Sequence, residues 1–305
     1  MNQNFLRAAV LSLLFMPISA GYGASELIYK NARIEISSIH KQTKNPGHIS
    51  QDGYEIPFFS IPAKEQPRYR FLMQSGLHGN ERGAILFNAW IIDRIQNGKG
   101  PLSKLNQFAT FDFIPIANPD GYLAKQRTNA RQVNLNRNFS ILFGKTTENP
   151  GKVSFSERET RAIKAILNKF HYTAAVDIHG YINWIVAPSN PHILGTTSQY
   201  SKTQLDNYKT WTSILQKTTK EQLPGYEYYT AGGLGDGGAF EDWAFWENNT
   251  FAFCLEVTPR NNPSDARFTE ANMFGDYERF LFTMFSNAIQ IQNENKSSAL
   301  AANNH

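Results

Sequence analysis

Apolar positions along this chain follow two rhythms that take turns. Short runs dense in β-branched and aromatic residues, bounded by Gly, Pro or Asn, predict strands: RYRFLMQSG (68–76), ATFDFIPI (109–116), TAAVDIH (173–179), INWIVAP (182–188) and TFAFCLEV (250–257). Nearer the start, ELIYKNARIEISSI (26–39) and YEIPFFSIP (54–62) have the same composition. Other stretches have helical spacing. AILFNAWIIDRI (84–95) is apolar nearly all round and stops at Asn97-Gly98, which predicts a buried helix. Ser156 with Glu159 is the signature of a capping box for a helix reaching Phe170. Leu205, Tyr208, Trp211 and Leu215 mark another helix, and Phe274, Tyr277, Phe280, Leu281, Met284 and Phe285 a long C-terminal one. Asn118-Pro119-Asp120-Gly121 predicts a turn, and TAGGLGDGGAFEDW (230–243) begins as a glycine-rich loop.

Strands alternating with helices, several of the strands apolar throughout, predict an α/β fold. The central sheet should be mixed, mostly parallel, of about eight strands, with helices on both faces. No internal repeat or linker divides the chain, so one domain is expected over residues 25–292, followed by a polar, frayed tail over 293–305.

Composition adds a compartment. Arg7 precedes an apolar run from Ala8 to Ile18 and then small residues, the pattern of a secretory signal peptide over 1–23, with cleavage after Ala20 or Gly23. The expectation is a periplasmic or secreted protein. No later segment is apolar enough to span a bilayer. The only cysteine, Cys254, excludes a disulfide framework and, inside FAFCLEV, reads as a buried inert thiol. The net charge of +4 suits weak attraction to an anionic envelope surface, while the lack of a Lys/Arg run argues against nucleic acid.

Polar residues at the carboxyl ends of the predicted strands carry the candidate chemistry, because ligands gather there in open α/β sheets. They are His78 and Glu81 after RYRFLMQSG, Arg127, Asn136 and Arg137 after ATFDFIPI, His179 at the end of TAAVDIH, and Glu256 in TFAFCLEV. Two His and one Glu make a catalytic type of zinc set that leaves a fourth position for water. His78-x-x-Glu81 alone is a weak signal. Asp177 could brace His179, whereas His40, His48, His171, His192 and His305 lack partners at ligand spacing.

The motifs HGNE, NPDGY, Arg127 nine residues before NRNF, DIHGY, EDW and LEV, in that order, resemble the M14 family of zinc carboxypeptidases over about residues 68–285. The resemblance implies one Zn2+ held by His78, Glu81 and His179, and Glu256 as the catalytic glutamate, thirteen residues after Asp242-Trp243. It implies Arg127 opposite the scissile carbonyl, and Asn136 with Arg137 gripping the substrate's terminal carboxylate. Three departures stand out: Asn134 where the family usually has Asp, Leu234 at the position of the mobile tyrosine, and Gly180 where Ser is common. Tyr226, Tyr228 or Tyr229 is a candidate substitute for the missing tyrosine.

In pancreatic enzymes the residue before Asp-Trp lies in the pocket for the terminal side chain, and here it is Glu241. An acid there fits a terminal Lys or Arg, or the free amino end of meso-diaminopimelate. The expectation is a monomeric exported carboxypeptidase acting on peptides, with peptidoglycan stem peptides the leading substrate. Carboxypeptidase B-like trimming, a deacylase of the aspartoacylase or succinylglutamate desuccinylase type, and a catalytically silent relative are the rivals.

Overall fold

The computed structural model describes residues 48–195, 197–230, 235–259 and 270–302. The expected signal peptide, the strand over 26–39 and Leu234 lie outside the described residues.

Seven strands form one sheet: β1 (Phe59–Ile61), β2 (Tyr69–Ser75), β3 (Ala109–Ile114), β4 (Ala174–Tyr181), β5 (Trp184–Ala187), β6 (Glu227–Thr230) and β7 (Phe251–Pro259). Their order is β1-β3-β2-β4-β7-β5-β6. The centre, β3-β2-β4-β7, is parallel, β1 joins β3 and β5 joins β7 antiparallel, and β6 is parallel to β5. The sheet is mixed and mostly parallel, one strand short of the expected number among the described residues. Its central strands read as continuous apolar runs because both faces are covered.

The helices are α1 (Arg82–Gln96), α2 (Leu102–Leu105), α3 (Pro119–Ala124), α4 (Arg158–Lys169), α5 (Lys202–Gln222), α6 (Phe240–Trp246) and α7 (Glu270–Ala302). Strand pleating sorts them onto two faces. Phe253 of β7 meets Trp211 of α5 and Phe280 of α7, and Phe71 of β2 stacks on Phe285 of α7. Their neighbours Cys254 and Glu256 point the other way and line a cleft with Glu241 of α6.

Three local expectations are corrected. The Asn118–Gly121 segment is the start of α3: Asn118 caps it by accepting from Gly121 N at 2.8 Å, and Pro119 takes the first helical position, where a missing N–H costs nothing. The capping box at Ser156 and Glu159 does not form. Glu157 is the N-cap of α4, Asn138 Oδ1 accepts from Glu157 N and Thr160 Oγ1, and the Glu159 carboxylate is drawn away to Gln51 N at 3.1 Å. Ser156 Oγ accepts from Asn138 Nδ2 at 3.0 Å and donates to Glu157 Oε1 at 2.7 Å, so both side chains of the expected box are engaged elsewhere. Third, α7 runs to Ala302, through most of the segment expected to fray. Bonds from Tyr69 Oη to Asn293 and from Asn295 to Asn207 of α5 hold the start of that polar stretch to the body. Among the described residues no helix is long and apolar enough to cross a membrane.

Candidate active site

Sheet geometry brings the predicted residues together. His78 and Glu81 lie in the turn from β2 into α1, with Glu81 as the helix N-cap. His179 sits in β4, and the β4–β7 register places it directly opposite Glu256. The loop between α3 and α4 brings Arg127, Asn134, Asn136 and Arg137, the last three around a 3-10 turn over Leu135–Arg137 that Asn134 caps. Glu241 comes from the first turn of α6. Its aim is set by its neighbours: buried Asp242 accepts from Ser189 N at 2.5 Å and Ser189 Oγ at 2.7 Å, and Trp243 packs on Phe139 and Phe155. His78, Glu81, Arg127, Asn136, Arg137, His179, Glu241 and Glu256 line one cleft of about 290 Å³, together with Trp184 and Tyr229.

The turn that carries His78 depends on two glycines. Gly76 has φ +72°, a left-handed conformation that glycine adopts without a Cβ penalty. Gly79 has a different reason, since a Cβ on it would lie 2.0 Å from the carbonyl carbon of Gly121 in α3. G79A is therefore expected to destabilise the fold by about 3 kcal/mol, read as a lower urea midpoint at unchanged m-value.

His78, Glu81 and His179 offer ligand atoms that all lie within 4.8 Å of one another, and all three residues are buried. The outer nitrogens are committed: His179 Nε2 meets Asp177 Oδ2 at 2.7 Å, and His78 Nε2 meets Asn134 Oδ1 at 2.9 Å. With protons on those nitrogens, both Nδ1 lone pairs face inward, 3.0 Å apart, toward the two oxygens of Glu81 at 2.7 and 2.8 Å. Such a convergence of lone pairs and a carboxylate calls for a cation, and its N,N,O donor set fits zinc. Burial works against ionised Glu81, but the two imidazoles hold its pKa far below the carboxylate range. Burial lowers the pKa of His78. For His179 burial acts the same way, yet Asp177 and Glu81 on either side raise it well above the ordinary value.

Gly180 N donates to Glu81 Oε2 at 3.1 Å, so the position without a side chain contributes through its backbone. Asn134 does accept from the histidine through its amide oxygen. Arg127 Nη1 approaches His78 Nδ1 to 3.0 Å and donates to Glu81 Oε1 at 3.3 Å. Arg137 Nη1 donates to the Asn136 carbonyl at 2.6 Å, while its Nε is buried without a hydrogen-bond partner among the described residues. Asn136 Oδ1 accepts from Phe240 N at 2.8 Å, which ties this loop to α6.

Two acids in the cleft stand out. Glu256 Oε2 and Glu241 Oε2 are buried with no hydrogen-bond partner among the described residues. Burial pushes the Glu256 carboxyl up to about 8. Burial, then the neighbouring Asp242, pushes Glu241 up to about 8 as well. Cys254 lies on the cleft wall with its thiol kept protonated, first by burial and then by these acids.

Of the three tyrosines considered, only Tyr229 lines the cleft, stacked on Trp184 at 5.2 Å. Tyr226 is instead committed to the Glu256 carbonyl and to Tyr277. The motifs did not point to Glu148. Its carboxylate accepts from Arg127 Nε at 3.0 Å, Arg127 Nη2 at 3.3 Å and Asn134 Nδ2 at 2.7 Å. A signal was present: Glu148 is the one acid between residues 121 and 156, a stretch that holds both cleft arginines.

Comparison with known proteins bears on the family and the fold. The chain is 24% identical over 226 residues to carboxypeptidase SOL1 of Arabidopsis thaliana, covering 70% of this chain and 44% of that protein. It is also 24% identical over 261 residues to the inactive metallocarboxypeptidase ecm14 of Sclerotinia sclerotiorum, covering 69% and 43%. The chain thus spans less than half the length of these curated relatives. Among solved structures, carboxypeptidase A of Helicoverpa armigera has the same fold, with a TM-score of 0.63 at 20% identity over 88% of this chain and 74% of that one. The murein-tripeptide amidase MpaA of Escherichia coli aligns with a TM-score of 0.50 at 20% identity, over 81% and 95%. The zinc carboxypeptidase family itself matches residues 30–299, nearly the whole sequence, and the chain belongs to it.

Proposed function

We propose that this protein is an exported zinc carboxypeptidase that releases a C-terminal residue bearing an amine on its side chain, with peptidoglycan stem peptides ending in meso-diaminopimelate as its substrate class. The observation that carries the substrate reading is Glu241, a buried carboxylate with one unpartnered oxygen in a cleft that also holds Arg137. A cationic side chain would supply that missing partner. The N-terminal pattern of Arg7 and Ala8 to Ile18 supports export, and the likeness to a murein-tripeptide amidase supports the wall peptide as substrate.

His78 and His179 through Nδ1, and Glu81, would hold the metal. A zinc ion bound there supplies Lewis-acid polarisation and lowers the pKa of water at its open position. The chain's own groups do the rest. Arg137, with its free Nε, binds the terminal carboxylate, and Asn136 beside it adds a neutral donor. Glu256 takes a proton from the attacking water and delivers it to the departing amine; its raised pKa suits both acts. Arg127 donates to the oxyanion as it develops.

The test is a digest of purified muropeptide tripeptide followed by mass spectrometry. Free diaminopimelate should be released, release should stop with a chelator, and added zinc should restore it. Hydrolysis of Lys- or Arg-terminated peptides with none of muropeptides would overturn the wall substrate, and no hydrolysis of any peptide by zinc-loaded protein would overturn the enzyme.

A further inference from the structure

The two imidazoles of the centre are backed differently. His179 Nε2 rests directly on a carboxylate, Asp177, at 2.7 Å. His78 Nε2 rests on an amide oxygen, that of Asn134, at 2.9 Å. A neutral amide polarises an imidazole less than a carboxylate does, so taken alone the pair would leave His78 the weaker donor. Asn134 is not alone. Its Nδ2 donates to Glu148 Oε2 at 2.7 Å, and a carboxylate on the amide nitrogen draws negative charge onto the amide oxygen. The amide cannot be turned round. Its oxygen also accepts from Asn136 N at 3.0 Å, so the reversed amide would set NH2 against N–H and oxygen against carboxylate.

We infer that Glu148 is a positioning residue of the metal centre, supplying to His78 through Asn134 the negative charge that Asp177 supplies directly to His179. This rests on the zinc reading of the site. The same carboxylate receives two hydrogen bonds from Arg127 and lies 3.7 Å from Arg137 Nη2, so one group outside the ligand set links the metal's support to both arginines of the cleft. Its side chain is 35% exposed, which leaves room for a variant to keep the fold.

The competing account is that Glu148 only orients the arginines. Zinc affinity of the full-length protein, measured against a chromophoric chelator, separates the two. E148Q is expected to bind zinc about 10- to 100-fold more weakly than wild type. N134D in the E148Q background places a carboxylate directly on His78 Nε2 and should bring affinity back to within about threefold of wild type. N134D alone sets two carboxylates at hydrogen-bond distance and should not improve on wild type. Unchanged zinc affinity in E148Q, even with a fall in kcat, overturns the inference, as does a double variant that fails to recover. Wild-type protein that takes up no zinc would instead overturn the zinc reading on which the inference rests.

Discussion

E256Q is expected to lower kcat by about 10³-fold, with KM and bound zinc nearly unchanged. Glutamine keeps the size of the side chain but cannot accept and return a proton. The effect should fall on the chemical step alone, because Glu256 is not among the residues that could hold the metal and lies across the β4–β7 ladder from one that is. Steady-state kinetics on a chromogenic peptide, with zinc quantified in the same preparation, checks both halves. A kcat within tenfold of wild type would remove Glu256 from the role of general base and leave the polarised water to find another acceptor.

The second large effect is one of selectivity. E241Q should reduce kcat/KM for peptides ending in Lys, Arg or diaminopimelate by about 10² to 10³-fold, the loss expected when one partner of a buried charge pair is removed. Peptides ending in Leu should be cut as well as before or better, since their side chain no longer meets a buried acid. The sign of the pH dependence follows from burial. Glu241 is held neutral below about 8 when no cation faces it, so its attraction for an amine strengthens as pH rises. The ratio of kcat/KM for Lys- over Leu-terminated peptide should therefore climb from pH 6 to 9 in wild type, with the catalytic groups cancelling in the ratio. In E241Q it should be flat. A ratio insensitive to both pH and the substitution would place the terminal side chain elsewhere.

Most of the sheet was legible because each central strand is buried on both faces and so writes an unbroken apolar run. The helices α1, α5 and α7 were legible through their spacing. What misled was local chemistry settled by distant partners. Asn118-Pro119-Asp120-Gly121 has the residues of a turn, but Asn118 Oδ1 accepts from Gly121 N and the chain continues as a helix to Ala124. Ser156 and Glu159 have the right spacing for a box, but Asn138 reaches the helix start and Gln51 reaches the acid. In the site, His78, Glu81 and His179, which could hold a metal, and the two arginines of the cleft all belong to motifs of the sequence. Glu148 stood out only as the one acid between residues 121 and 156, a mark without motif or spacing, because its contacts with Arg127 and Asn134 arise from where a loop folds back. The residues around it, Thr147 and Asn149, carry no spacing that marks an acid as special.

The pairing of His179 with Glu256 across the β4–β7 ladder divides the protein into a part that can drift and a part that cannot. Their separation is set by backbone bonds between two buried strands, which no surface substitution readily shifts. Glu241 comes instead from the first turn of a short helix entered from a loop, segments where insertions and exchanges are better tolerated. On the proposed reading, a lineage built on this frame can trade one terminal residue for another by rewriting the segment that carries Glu241, and keep the hydrolytic step intact while its diet changes.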